Sequence, residues 1–310
     1  MKNGNRRFLP EGVMHVYQRA IHGYNIFYTI HDRLVFYTIF SVFLKRFNVS
    51  ALALCLMIDH FHMLLICSTK SQLSKFISSV TSLYSRLFNG RVGRKGQLFD
   101  KSFGSAPKYS SKQVRTAVPY VFNNPVEKCL CADPAEYRWN FLAYYSSEFP
   151  FSEKLLLSSS SMNLRKAIKE IDYYFANDFW LNYTLLGRLY APLSSLEQSQ
   201  LTDYVIQKYN PFDKTELISY YKSLEMMNLA IRSVTGSEYS IKEDYNQYSD
   251  TLYDDIERYV VEDLKLIPTS LLILPIEEKV EIAHKMKFNT MASTLQIAKY
   301  LHIPMDRRGG

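Results

Sequence analysis

Residues 54–67 read LCLMIDHFHMLLIC, two apolar runs meeting at Ile58-Asp59-His60, and the fold turns on how this stretch sits. In an extended chain successive side chains point to opposite faces. His60 and His62 then share one face, and Phe61 enters the other layer. The runs 51–57 and 61–67 read as a β-hairpin or one long bent strand. Upstream, VMHVYQRAI (13–21) reads as a first strand and residues 32–47 as a helix with a charged C-terminal end.

Downstream, Leu73, Phe76, Ile77, Val80, Leu83, Tyr84, Leu87 and Phe88 recur at helical spacing, and Asn89-Gly90 supplies a stop. Tyr84 and Phe88, with Phe99 beyond them, read as core residues. The basic loop GRVGRKG (90–96) leads into QLFDKSF (97–103), which reads as a strand. Ser110 or Ser111 can cap a helix running to Asn124, with Pro125 as its end. Past residue 150 the sequence turns acidic, Tyr-rich and mostly helical, most charged over 244–263. Residues 276–287 and 294–301 read as two short helices.

With 310 residues, 47% of them hydrophobic, and only 11 Gly and 11 Pro, the chain is neither disordered nor fibrous. Its charge is uneven: residues 1–150 hold 19 Lys+Arg against 8 Asp+Glu, or +11, and residues 151–310 hold 18 against 22, or −4. A polyanion-binding surface is therefore expected in the N-terminal half. Cys55, Cys67, Cys129 and Cys131 form no CxxC pair, which fits a reduced, cytoplasmic setting. No signal-peptide-like segment and no apolar run of membrane-spanning length occurs, so no membrane partner is expected.

His60 and His62 on one strand can each offer a ring nitrogen to a divalent ion. The same HxH pattern also suits two packed histidines or half of a zinc site. Tyr120 and Asn124, four apart, lie on one helical face. A tyrosine can be a covalent nucleophile and an amide oxygen a hard ligand for Mg²⁺ or Mn²⁺. Among 24 tyrosines, though, packing is the usual role, so spacing does not single out Tyr120.

The segments MHVYQRAIHGYNIFY, LCLMIDHFHMLL, YSRLFNGRVGRKGQLFDKSF and PYVFNNPVEKCLCADPAEYRWNFLAYY, in that order across residues 8–145, resemble the HUH single-tyrosine transposases, IS200-like, in the branch associated with repetitive extragenic palindromes. That resemblance implies an α+β fold, an antiparallel ferredoxin-like or RRM-like sheet with packed helices, followed by a helical C-terminal region. It implies Tyr120 as nucleophile and His60, His62 and Asn124 as ligands of Mg²⁺ or Mn²⁺. Single-stranded or hairpin DNA would be cut through a 5′-phosphotyrosine and rejoined, with Arg86, Arg91, Arg94, Lys95 and Lys101 placed to hold its backbone.

Three positions depart from the family pattern. Ile58-Asp59 stands where Pro-Asn is common, and Asp59 could join or compete for the metal. Pro119 could kink the helix of Tyr120, and FDKSFGSAPKY replaces the usual W/F-x-x-R-F run. A partial helix-turn-helix-like segment ends the expected division into residues 1–150, 151–265 and 266–310, with Gln296-Ile297-Ala298 where such modules often carry QIA. The other function these features allow is a catalytically inactive DNA-binding regulator that keeps the fold. Monomer and homodimer both stay open.

Overall fold

A computed structural model describes residues 7–100, 102–233 and 249–304. Strand β1 (Val13–Arg19) leads to helix α1 (Ile30–Phe47), then to β2 (Ser50–Leu56) and β3 (His60–Ile66) as a hairpin. Helix α2 (Lys70–Val92), β4 (Gly104–Lys108) and α3 (Ser111–Glu127) follow. The four strands form one antiparallel sheet in the order β2-β3-β1-β4, the ferredoxin-like βαββαβ arrangement expected.

Helices α1 and α2 cover one face of the sheet. Phe61 meets Phe36 of α1 at a ring separation of 5.1 Å and Phe99 at 5.8 Å. Helix α3 crosses the other face, against β2, β3 and β4. Both central strands are therefore apolar-buried on one side and polar-buried on the other.

Beyond shifts of one or two residues at other element ends, three boundaries differ from the sequence reading. Helix α2 runs through Asn89-Gly90 and stops at Gly93, whose φ of +73° gives the left-handed cap. Asn89 instead bridges the following loop, donating from Nδ2 to the Gly96 carbonyl at 2.8 Å. The run 97–103 is not the strand: among its described residues only Phe99 forms a bridge, to Ala20, and β4 begins at Gly104. Helix α3 continues past Pro125 to Glu127 and contains Pro119 as well. Pro119 removes one donor, and the Arg115 carbonyl it would have served accepts instead from the Tyr221 hydroxyl at 3.3 Å.

The C-terminal half is helical, as expected: α4 (Met162–Ala176), α5 (Tyr183–Tyr190), α6 (Ser195–Lys208), α7 (Lys214–Ser219), α8 (Leu224–Ser233), α9 (Leu252–Arg258), α10 (Ile276–Asn289) and α11 (Thr294–Leu301). The charged stretch 244–263 falls partly outside the described residues. These helices wrap the N-terminal core. Tyr37 and Ser41 of α1 donate to the carbonyls of Ile206 and Tyr209 at 2.9 and 2.6 Å, which is how α1 can be buried on every side without stranded hydroxyls. Helix α8 packs on α3, and α11 meets residues 24–28, where Tyr28 donates to the Tyr300 carbonyl at 2.7 Å. No helix among the described residues is long and apolar enough to cross a membrane.

Gly104 pairs with Tyr17 across β1 and β4, and a Cβ built on Gly104 would lie 2.1 Å from the Tyr17 ring. The glycine is what lets that ring lie over the strand. Gly104→Ala should force the Tyr17 ring aside and cost about 1–3 kcal/mol, read as a lowered midpoint in urea unfolding. An unchanged midpoint would mean that the ring has free space to move into.

Candidate active site

The alternation of β3 delivers His60 and His62 to the α3 face, where β1 brings His15 and Tyr17. Tyr17 lies directly opposite His62 in the register, and His15 two residues away shares its face. From above, α3 presents Tyr120 and Asn124 one turn apart. The structure thus gathers the four residues singled out for chemistry from two segments about sixty positions apart in the chain.

His60 is held at both ring nitrogens. Its Nδ1 lies 2.5 Å from Asp59 Oδ1 and its Nε2 3.3 Å from Asn124 Oδ1. Asp59 therefore stands behind His60, on the ring nitrogen that faces away from Asn124. Burial alone would raise the Asp59 carboxyl, but the adjoining His60 imidazole, with Arg19 and Lys299, holds it well below the usual carboxylate range. His62 Nδ1 lies 3.1 Å from His15 Nε2. The Tyr120 ring sits 5.5 Å from both His62 and His15, nearly edge-on to His62.

Burial, reinforced by His60, His15 and Arg19, keeps the His62 imidazole well below its ordinary range, in the neutral form that ligates metal. Two donors bound to one divalent ion at roughly 2.0–2.2 Å stand about 2.9–3.5 Å apart, and His60 Nε2 and Asn124 Oδ1 have that spacing. A carboxylate behind a ligating imidazole is the usual way its ring is oriented. The donor set thus fits a hard divalent cation with mixed nitrogen and oxygen ligands. Among the described residues no group of three or more His, Cys, Asp or Glu could hold a metal, so a metal site here would need an amide oxygen such as that of Asn124.

The site is enclosed. His60, His62, Asn124 and Tyr120 are only 3%, 0%, 3% and 6% exposed. Helix α8 presses on α3, with Asn123 Nδ2 donating to the Ile231 carbonyl at 2.6 Å. Asp250 is tied by its amide to the Lys128 carbonyl at 3.1 Å, and burial followed by Asp59 pushes its carboxyl up to about 6. A phosphodiester reaches Tyr120 only if this cover shifts.

His15 and Asp250 were not singled out in the sequence. His15 had a readable signal: in MHVYQ it precedes Tyr17 by two, so both face one way. Asp250 had none, since its approach depends on packing between the halves.

The basic residues scatter. Arg86 is exposed on α2, and Lys95 is exposed in the loop. Arg91 NH1 lies 3.4 Å from buried Asp32, with its guanidinium 4.5 Å over the Tyr183 ring. Arg94 NH2 donates to the Gln97 carbonyl at 2.8 Å. Lys101 lies outside the described residues.

Residues 13–124 match the family model described as transposase, IS200-like, so the resemblance read from the sequence holds over that segment. No curated protein sequence matches the chain. A solved structure described as a REP-associated tyrosine transposase bound to a REP hairpin is 15% identical, with a TM-score of 0.37, and the match covers 45% of this chain and 81% of its own.

A buried histidine held neutral makes stability depend on pH in one direction. Unfolded His62 binds a proton below about pH 6.5 and the folded residue refuses it, so stability should fall with pH below that point by up to about 1.4 kcal/mol per unit. Urea unfolding between pH 7.5 and 5 should show this slope on top of that from buried His302, and His62→Phe should reduce the total by the His62 share. Equal slopes in the two proteins would remove His62 as its source.

Proposed function

We propose, on the premise that residues 13–124 form an IS200-like transposase domain, that this chain is a metal-dependent single-stranded DNA endonuclease and strand transferase. Its preferred DNA on this reading is a hairpin or palindrome. The observation that carries the proposal is the meeting of Tyr120 with His60, His62 and Asn124 on one face of the sheet, with His60 Nε2 and Asn124 Oδ1 only 3.3 Å apart.

His60, His62 and Asn124 would hold Mg²⁺ or Mn²⁺, which supplies charge stabilisation to the non-bridging phosphate oxygens. Asp59 fixes the His60 ring, and His15 fixes that of His62. Tyr120 Oη attacks phosphorus, and the oxygen of the 3′ side leaves as a 3′-hydroxyl after taking a proton. The 5′ side stays on Tyr120 as a phosphodiester. One phosphodiester replaces another, so attack by a 3′-hydroxyl reverses the step without nucleotide hydrolysis. Because Tyr120 stands beside His62 of the same chain, the tyrosine acts in cis on this reading.

The enclosure of the site favours one second reading, a regulator that binds DNA through the same fold without cutting it. A labelled single-stranded hairpin incubated with Mg²⁺ or Mn²⁺ separates the two. Wild type should form a denaturation-resistant protein–DNA adduct, and Tyr120→Phe should lose it by at least about a thousandfold while still binding the DNA. His60→Ala should lower both Mn²⁺ affinity and adduct yield. DNA binding with no adduct in wild type under either metal would establish the regulator instead.

A further inference from the structure

At the end of the sheet where β1 leaves its last pairing, a cavity of about 490 Å³ opens between the two halves of the chain. That volume lies in the roughly 300–1,000 Å³ range of small-ligand sites. The N-terminal half lines it with the turn through His22 and Tyr24 and with the loop carrying Arg94 and Lys95; the C-terminal half adds Lys279 and His302. Among the described residues no carboxylate lines it.

Two features of the wall are left unmatched by the protein. The first is positive charge. Lys279 is 7% exposed, and its ammonium donates to one carbonyl, that of Leu272 at 2.8 Å, although it carries three donors. Burial holds both Lys279 and Arg94 below their ordinary ranges, and Arg94 adds to the effect on Lys279, as expected of cations gathered without a counter-charge.

The second is a hydrogen-bond acceptor. His302, 7% exposed, is stacked on Tyr24 with ring centroids 4.4 Å apart at 14°, and its Nε2–H donates to the Asn25 carbonyl at 2.8 Å. That bond fixes the tautomer, so Nδ1 carries the lone pair. Nδ1 is buried and has no hydrogen-bond partner, so a donor on a ligand reaches it only as the wall around the ring gives way. Burial lowers the imidazole to about 3, so it remains an acceptor at neutral pH. An unsatisfied buried acceptor costs roughly 1–3 kcal/mol, which a donor on a ligand would offset.

We propose that this cavity binds one nucleotide, its phosphate among Lys279, Arg94 and Lys95 and a base N–H on His302 Nδ1. Phosphate satisfies the charge but not the acceptor; a base satisfies the acceptor but not the charge. Only the two linked together answer both walls. The turn that lines the cavity also runs past two side chains behind His60: a Cβ on Gly23 would lie 3.2 Å from Lys299 and 3.5 Å from Asp59 Oδ2. On the transferase reading above, the occupant would be one nucleotide of a DNA strand. A free nucleotide offers the same chemistry.

The test measures binding of the four deoxynucleoside 5′-monophosphates and of inorganic phosphate to the full chain by calorimetry, with hairpin DNA as competitor. At least one nucleotide should bind at least tenfold more tightly than phosphate. Lys95→Ala, at an exposed position, and Lys279→Met, which keeps the buried stem, should each weaken it at least fivefold without lowering the melting temperature. His302→Phe keeps the stack on Tyr24 and should bring nucleotide affinity down to that of phosphate. Competition by hairpin DNA identifies a DNA strand as the source; tight nucleotide binding without competition supports the site with a free nucleotide as its ligand. Nucleotide binding no tighter than phosphate, or indifferent to Lys95→Ala and Lys279→Met, overturns the proposal. The Tyr120 adduct is scored separately, so loss of the cavity's role leaves the transferase reading standing, and loss of the adduct leaves the cavity's.

Discussion

Everything in the N-terminal half depends on the register of β3 in the middle of the sheet. Phe61 must enter the α1–α2 layer, where Phe36 and Phe99 surround it, for His60 and His62 to face α3. A slip of one residue would bury two imidazoles among aromatic rings and turn Phe61 onto Tyr120. The hydrophobic term and the candidate chemistry are thus fixed by one choice. The large ring drives the register, and the histidines follow.

Placing the helix of Tyr120 and Asn124 on the polar side of such a sheet leaves polar groups in the interior, and the chain answers them locally. Asp59 and Asn124 bracket His60, His15 meets His62, and Asn123 finds the Ile231 carbonyl. The carbonyl freed by Pro119 is taken by Tyr221. Two of these partners, Ile231 and Tyr221, come from the C-terminal half. That half therefore completes the hydrogen bonding of α3 as well as covering it, and opening the site must break or replace those bonds.

The parts of the fold carried by periodicity were legible: both strands around Asp59-His60, the amphipathic face of α2, and the two helices near the end of the chain. What failed was punctuation. Asn89-Gly90 did not stop α2 because Asn89 is held by the Gly96 carbonyl, and Pro125 did not stop α3 because a proline in a last turn loses little. The run 97–103 looked like a strand because Leu98 and Phe99 are buried; they fill the helix-side core beside Ala20 instead. Of the site, the two histidines, Tyr120 and Asn124 were legible only as a collinear set. The enclosure over them was not, since it is made by residues more than a hundred positions away.

Charge distribution along the chain also changes meaning once folded. The basic N-terminal and acidic C-terminal halves partly answer each other: Lys45 reaches Asp178 at 2.7 Å and Arg138 reaches Asp203 at 3.4 Å. Arg91 is drawn inward to Asp32. An exposed pair such as Lys45–Asp178 contributes only about 0–1 kcal/mol, yet it still cancels a charge that a distant polyanion would feel. The surface left for a phosphate backbone is smaller than the count of +11 implies. Exposed Arg86 and Lys95 and the uncompensated Arg94 and Lys279 are among the cations that keep their charge, and three of these four line one cavity. Net charge counts cations along the sequence, but the residues that keep their charge available are chosen by which acids the fold withholds from them.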